Sequence, residues 1–420
     1  MRVLVAAEDS GSIKDISFSA GTNTSLQPNA EVAIETFASA GRAGYVQRMT
    51  TVKLQSGKEY ICIARKGGIV QLYDIEAPHT LYVEWKDKTQ RGEDAFVGLE
   101  YVGGILSSCT STGRMVMRDL DTEEMLPFHA SLEDPVNAFR VHPRQANVIA
   151  YGGKERELEI DIIDNVDEDE NVWRMPLTDN NALSRRKLWK SKNVKNDELN
   201  LRVPVWISDI RFIDLGRDHS DTDFRVVVST RFGHIRVYET KLSRKPILNV
   251  EVGDHPLVAL SGYVHDREIV YCDTHSTTAR FDLITGKQTG HYSGSAGAIL
   301  CLDSFTGIDR SGQPISYLAT GGLDRFLRVY DLQTRALVSK VFVGAKLNQV
   351  RIVSGIDANK KKRKAIDSGD QDETKRHEFE SVSPTQSDDD NEDNEDEEDE
   401  EEDKDIWNKL EQADEEDQDN

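Results

Sequence analysis

The chain has 420 residues, of which 75 are Asp or Glu and 52 are Lys or Arg, giving a net charge of −23. That acidity is a tail: residues 388–420 hold 21 acids against Lys404 and Lys409, residues 357–387 balance seven of each sign, and only −4 belongs to everything before. A nearly neutral foldable part lacks the basic balance of a dedicated nucleic-acid binder; no run of 18 apolar residues offers a membrane helix; and a start of MRVLVAAEDSG, interrupted at Glu8 and Asp9, argues against a signal peptide.

In chain order, residues 1–11 read as a strand ending at the turn Asp9-Ser10-Gly11, and 12–18 read as the strand that follows it. First strands of further units recur at 45–54, 95–102, 135–143, 205–214, 255–264 and 297–306. In each unit the second and third strands meet at a tight turn: Lys66-Gly67-Gly68, Ser111-Thr112-Gly113, Gly152-Gly153-Lys154, Arg231-Phe232-Gly233, His275-Ser276-Thr277 and Gly322-Leu323-Asp324. Gly and Asp tolerate the positive φ that such turns require. The third strand commonly closes on an acid after an aromatic or long side chain, at Tyr73-Asp74, Arg118-Asp119, Tyr238-Glu239, Phe281-Asp282 and Tyr330-Asp331. These markers lie 45 residues apart from 74 to 119, 43 from 239 to 282 and 49 from 282 to 331. A period of about 40 to 45 with four strands per unit is the signature of a WD-type propeller blade.

A last strand at 347–354 has nothing after it to pair with, and residues 1–18 supply the missing partners. The expected fold is therefore all-β, a seven-bladed WD-type β-propeller over residues 1–356 in which 347–354 closes the ring with 1–18. Closure also removes the open sheet edge at the seam. A β-sandwich, or two smaller β domains, leaves the strand at 347–354 unexplained. Cys62, Cys109, Cys272 and Cys301 each sit in an apolar strand and form no C-x-x-C pair. They read as buried small side chains of a soluble protein in a reducing, intracellular compartment.

The repeat is broken once. Asp161 ends one third strand, yet the next first strand begins only at Val205, so an inserted loop is expected at 165–204. Loops this long are usually functional or disordered. It begins acidic, over 164–170, and turns basic where Arg185, Arg186, Lys187, Lys190, Lys192 and Lys195 flank Trp189. A basic cluster with one aromatic suits phosphate contacts and base stacking on RNA. It equally suits a loop packed back on the propeller with its charges turned to an acidic protein partner.

Beyond the fold, 357–387 is a basic and polar linker that opens with Lys360, Lys361, Lys362, Arg363 and Lys364, either a nuclear localisation signal or a merely solvated run. The acidic tail at 388–420 has too few apolar residues to offset the loss of chain entropy and is expected to be disordered. Ser381, Ser383, Thr385 and Ser387 suit an acid-directed kinase, and the island Ile406-Trp407-Asn408-Lys409-Leu410 is either a short docking motif or an accident of a floppy tail.

Residues 189–213, WKSKNVKNDELNLRVPVWISDIRFI, resemble the signature of the Nop-seven-associated WD-repeat family, assembly factors of the large ribosomal subunit. GSAGAILCLDSF at 294–305 and ATGGLDRFLRVYDLQTRALVSKVFVGAKLNQVRIVSG at 319–355 look like the same family. The resemblance implies a propeller of the nucleus and nucleolus that joins early large-subunit (pre-60S) particles and contacts other assembly factors and precursor ribosomal RNA. It also implies later release by an AAA-type ATPase. Such a protein is a monomeric subunit of a large complex, with no cofactor and no membrane partner. The residues matching the motif are Trp189, Lys190, Lys192, Asn193, Asn196, Asp197, Leu201, Arg202, Pro204, Trp206 and Asp209. Leu201, Pro204 and Trp206 are expected to set the approach and core packing of an inner strand, whereas Lys190, Lys192, Asn193 and Arg202 carry polar heads that can face a partner.

An enzyme is the rival class, but the chain has no G-x-x-x-x-G-K-[ST] loop, G-x-S-x-G elbow or H-E-x-x-H helix. His142 and His255 read as structural groups at strand ends, and Asp324 as an acid hydrogen-bonded to its own turn. A second non-enzymatic reading is a nuclear adaptor that holds histones or other basic proteins through the acidic tail. The 189–213 motif favours the ribosome, with the tail as a shield for basic partners or a handle for the releasing ATPase.

Overall fold

A computed structural model describes residues 1–355 except 28, 88–93, 165–181, 197, 214–222, 263–266 and 309–312. The chain divides into two units, Met1–Lys361 and Lys362–Asn420. The basic run at 360–364, the serines and threonine at 381–387, the island at 406–410 and the acidic tail all lie outside the described residues.

The described residues form 28 strands in seven four-stranded sheets and no α-helix. Blade one runs Val46–Lys53, Glu59–Arg65, Ile69–Asp74, Leu81–Lys86, each strand antiparallel to the next. Blades two, three, four, five and six repeat this order, beginning at Phe96, Ala138, Ile207, Leu257 and Ile299. Blade seven takes its inner strand, Leu347–Ser354, from one end of the chain and its other three, Arg2–Ala7, Ser12–Phe18 and Val32–Phe37, from the other. Arg2–Ala7 pairs antiparallel with Leu347–Ser354, with Val5 opposite Val350.

Sequence patterning explains the layering. Second strands such as RVLVAA at Arg2–Ala7 and ILSSCT at Ile105–Thr110 are buried on both faces, so they read as near-continuous runs of apolar or small residues. Outermost strands such as LYVEWK at Leu81–Lys86 are largely exposed and carry charge. Among the described residues the apolar side chains gather into seven clusters, one in each seam between neighbouring blades. The closing strand is held in this way: Leu347, Val350 and Ile352 pack with Val3 and Val5 of their own blade and with Leu327 and Val329 of blade six.

The recurring acid at the end of the third strand has a local cause. Asp74 accepts a hydrogen bond from the Glu76 amide at 3.0 Å, Asp119 from Asp121 at 3.0 Å, Asp282 from Ile284 at 2.8 Å and Asp331 from Thr334 at 2.7 Å. Each carboxylate thus nucleates the turn into the fourth strand. Gly233 is obligatory in its hairpin: its φ is +72°, and a Cβ there would lie 1.7 Å from the Gly253 carbonyl oxygen. Asp324 accepts from the Phe326 amide at 3.2 Å and pairs with Arg328 at 2.6 Å. His142 packs edge-on against Phe212 and Phe224, and burial together with nearby Arg144 pushes its pKa down to about 4. The four cysteines are buried and unbridged, and burial pushes the Cys301 thiol up to about 12.

The structure departs from the expected inserted loop at 165–204. Its basic end is not a loop: Arg185–Lys190 is the fourth strand of blade three, paired with Arg156–Ile163. Blade three is therefore complete, and the extra length falls between its third and fourth strands, where 165–181 lie outside the described residues.

Candidate partner-binding surface

Most of the basic cluster is built into blade three. The third strand, Arg156–Ile163, alternates Glu157, Glu159 and Asp161, and the register sets Glu159 opposite Lys190 and Asp161 opposite Lys187. The Glu159 carboxylate, almost wholly buried, receives Lys187 Nζ at 2.6 Å, Lys190 Nζ at 3.0 Å and Arg156 Nε at 3.4 Å. Burial alone opposes its ionisation, but the lysine hydrogen bonds outweigh burial and hold its pKa down at about 2. Arg185 pairs with the buried carboxylate of Asp161 and donates to the Ser131 carbonyl at 3.0 Å. Arg186 is exposed and lies 3.6 Å from Asp164.

Trp189 is not a stacking platform. Its ring meets Tyr238 edge-on at 5.7 Å and packs on the cluster formed by Leu158, Ile160, Ile210 and Val226 in the seam between blades three and four. The strand positions Trp189 opposite Ile160, so period-2 alternation turns it to the core.

Residues 191–206 then cross from the outer strand of blade three to the inner strand of blade four, which begins at Ile207. The Lys192 amide donates to the Arg244 carbonyl at 2.7 Å, and Arg244 Nε donates to the Lys190 carbonyl at 2.7 Å, fastening the segment to blade four. Asn193 is internal in function: Nδ2 donates to the Val203 carbonyl at 2.6 Å, and Oδ1 accepts from the Val194 amide at 2.8 Å and from buried Arg236 at 3.4 Å. Asn196 donates to the Asn200 carbonyl at 3.0 Å, and Arg202 pairs with Glu155 at 3.0 Å with both side chains more than half exposed. Asp197 lies outside the described residues.

Two lysines remain different. Lys192 and Lys195 are exposed, and neither forms a side-chain ion pair among the described residues. Beside them Leu199 and Leu201 are 79% and 59% exposed. Leu201 was expected to pack under the inner strand and instead faces outward. Val205 fills that role, and half-buried Trp206 lies under Lys154 Nζ at 5.0 Å.

Relatives share this architecture-bearing region. Ribosome biogenesis protein NSA1 of Yarrowia lipolytica is 30% identical over 386 residues, which span 84% of this chain and 87% of that protein. The chain belongs to the NSA1 family of ribosome biogenesis proteins. Another NSA1-family member, ribosome biogenesis protein nsa1 of Schizosaccharomyces pombe, is 27% identical over 373 residues, 84% of this chain and 89% of that one. WD repeat-containing protein 74 of Homo sapiens is 30% identical over 271 residues, 63% of this chain and 62% of that one. No profile of a protein family matches the chain. This NSA1-family assignment agrees with the resemblance carried by 189–213.

One set of residues escaped the sequence reading. Inner strands of blades one, three, four and seven each bring an arginine, Arg48, Arg140, Arg211 and Arg351, to the wall of the central channel. Arg140 pairs with Glu100 and, at 2.8 Å, with Asp209; Arg351 pairs with Asp303 at 3.2 Å. Asp209, matched in the family motif without a role, is thus a channel residue that also accepts the amides of Ile210 and Leu260, each at 2.8 Å. The available signal was a single arginine in the first strand, repeated in four units.

Proposed function

We propose that this NSA1-family chain is a nucleolar scaffold of pre-60S particles during ribosomal RNA processing. It holds other large-subunit assembly factors and precursor ribosomal RNA and is later released by an AAA-type ATPase. The family assignment carries the ribosome biogenesis role. A ring of seven four-stranded sheets suits a rigid platform for several partners rather than bond chemistry. The contact surface is the 191–202 crossing, where Lys192 and Lys195 offer charge that is paired with no carboxylate among the described residues and Leu199 and Leu201 offer apolar area beside it. Arg202, exposed but paired, borders it; Arg186, paired with Asp164 on the outer strand, lies outside it; Arg185, Lys187, Trp189, Lys190 and Asn193 support it from within. The basic run at 360–364 is proposed as the nuclear localisation signal.

The test is a pull-down of the tagged full chain at about 150 mM and again at about 500 mM salt, where exposed charges are progressively screened. Recovery of large-subunit precursor RNA and assembly factors at both salts is the expected result. Recovery of histones or other basic proteins at low salt alone assigns binding to the acidic tail and overturns the scaffold reading.

A further inference from the structure

Among the described residues, the central channel carries more arginines than carboxylates. Its wall encloses a cavity of about 300 Å³ lined by Arg48, Arg140, Arg211, Arg231 and Arg351. Three carboxylates face these five guanidinium groups: Glu100 and Asp209 pair with Arg140, and Asp303 with Arg351. Two of those carboxylates are also held by backbone amides. Asp209 accepts the Ile210 and Leu260 amides, and the second oxygen of Asp303 accepts the Ile352 amide at 2.8 Å.

Among the described residues Arg48 and Arg211 hydrogen-bond only to carbonyl oxygens. Arg48 donates to the carbonyls of Val97 at 3.1 Å and Gln47 at 2.8 Å, and Arg211 donates twice to the Leu260 carbonyl, at 3.0 and 2.9 Å. Neither has an ion pair among the described residues. Burial and repulsion from Arg140 push Arg48 down to about 10 and lower Arg211 as well, outweighing the attraction of Asp209 and Glu100. Both side chains are half-buried at the channel wall, where a guanidinium without a paired carboxylate is costly, and a bound anion lowers that cost.

We propose that the channel is a binding site for a small anion of the phosphate class, held by Arg48 and Arg211 inside and approached past Arg231. The fork of a guanidinium matches tetrahedral oxyanions bidentately. A cavity of this volume lies at the lower end of small-molecule pockets, which suits inorganic phosphate, pyrophosphate or a compact phosphate ester and not a macromolecule. This goes beyond the scaffold reading, because none of these residues belongs to the 191–202 surface.

The test is calorimetric titration of the full chain, in a buffer free of phosphate and low in chloride, with inorganic phosphate and separately with pyrophosphate, beside thermal melts with and without each anion. One saturable site per chain is expected. Arg48→Gln and Arg211→Gln should each weaken binding about tenfold or more, the loss of a charge-assisted contact, while melting no lower than the parent in the anion-free buffer. Should a Gln variant fail to fold, Arg48→Lys, which keeps the charge and loses the fork, replaces it and should still bind more weakly. Tighter binding of pyrophosphate points to an ester or polyphosphate as the natural occupant, and equal binding points to free phosphate. No saturable site for either anion, or full binding by the Gln or Lys variants, overturns the proposal.

Discussion

Residues 185–190, which hold Trp189, and residues 191–202, which follow it, both carry clustered basic side chains, yet they differ in what their charges meet. In the outer strand, Lys187, Lys190 and Arg185 close on the buried carboxylates of Glu159 and Asp161. In the crossing that follows, Lys192 and Lys195 meet none among the described residues. A basic cluster is thus not a unit: strand register divides it into cations that stabilise the blade and cations free for a partner. The same division recurs in the channel, where Arg140 and Arg351 are paired and Arg48 and Arg211 are not.

The comparison breaks first at Trp189. If its indole belongs to the seam, Trp189→Ala should lose about 3 kcal/mol in denaturant unfolding, the lower end for an aromatic deletion because the ring is only partly buried. A loss below about 1 kcal/mol would return Trp189 to the surface as a stacking residue.

The lysines of the outer strand come next. Replacing Lys187 and Lys190 together by Ala leaves Glu159 buried with Arg156 as its one cation and the Tyr151 hydroxyl as a donor, and about 2 kcal/mol of stability should go at neutral pH, less than for a fully buried pair because both lysines keep part of their surface in water. Its pH dependence fixes the cause. The folded pKa of Glu159, about 2, lies below the ordinary 4.5, so its contribution is present above about pH 4.5 and lost as pH falls towards 2. The stability curves of parent and double variant should converge over that interval; a constant offset would mean that lost packing and not charge is responsible.

Arg202 marks the small end. Its pair with Glu155 is exposed on both sides, so Arg202→Ala should change stability by no more than about 0.5 kcal/mol, at low and high salt alike.

The seven repeats and the closing of the ring were legible because a strand at 347–354 with nothing behind it demands a partner, and Val3 and Val5 supply the apolar alternation it needs. The fourth strand of blade three was not, because RRKLWK shows no clean alternation and follows a long interruption. Its partners were nevertheless on the page: Glu157, Glu159 and Asp161 alternate, so one face of that strand is acidic and calls for a basic strand beside it. The channel arginines were harder. Whether Arg48 or Arg211 faces the axis or a seam depends on closure and register together, and neither is a property of the strand alone. Leu201 was misplaced for a related reason, since hydrophobicity in a crossing segment does not say which side of it the fold covers.

The most direct measurement is particle association of the full chain carrying Lys192→Glu and Lys195→Glu, in the salt-resistant pull-down, beside Arg186→Glu as an equally exposed basic control on the outer strand. Both proteins should unfold within about 0.5 kcal/mol of the parent, since no buried group is touched. The account predicts that the double variant loses large-subunit precursor RNA and assembly factors while Arg186→Glu retains them. A folded double variant that recovers both as the parent does would contradict it.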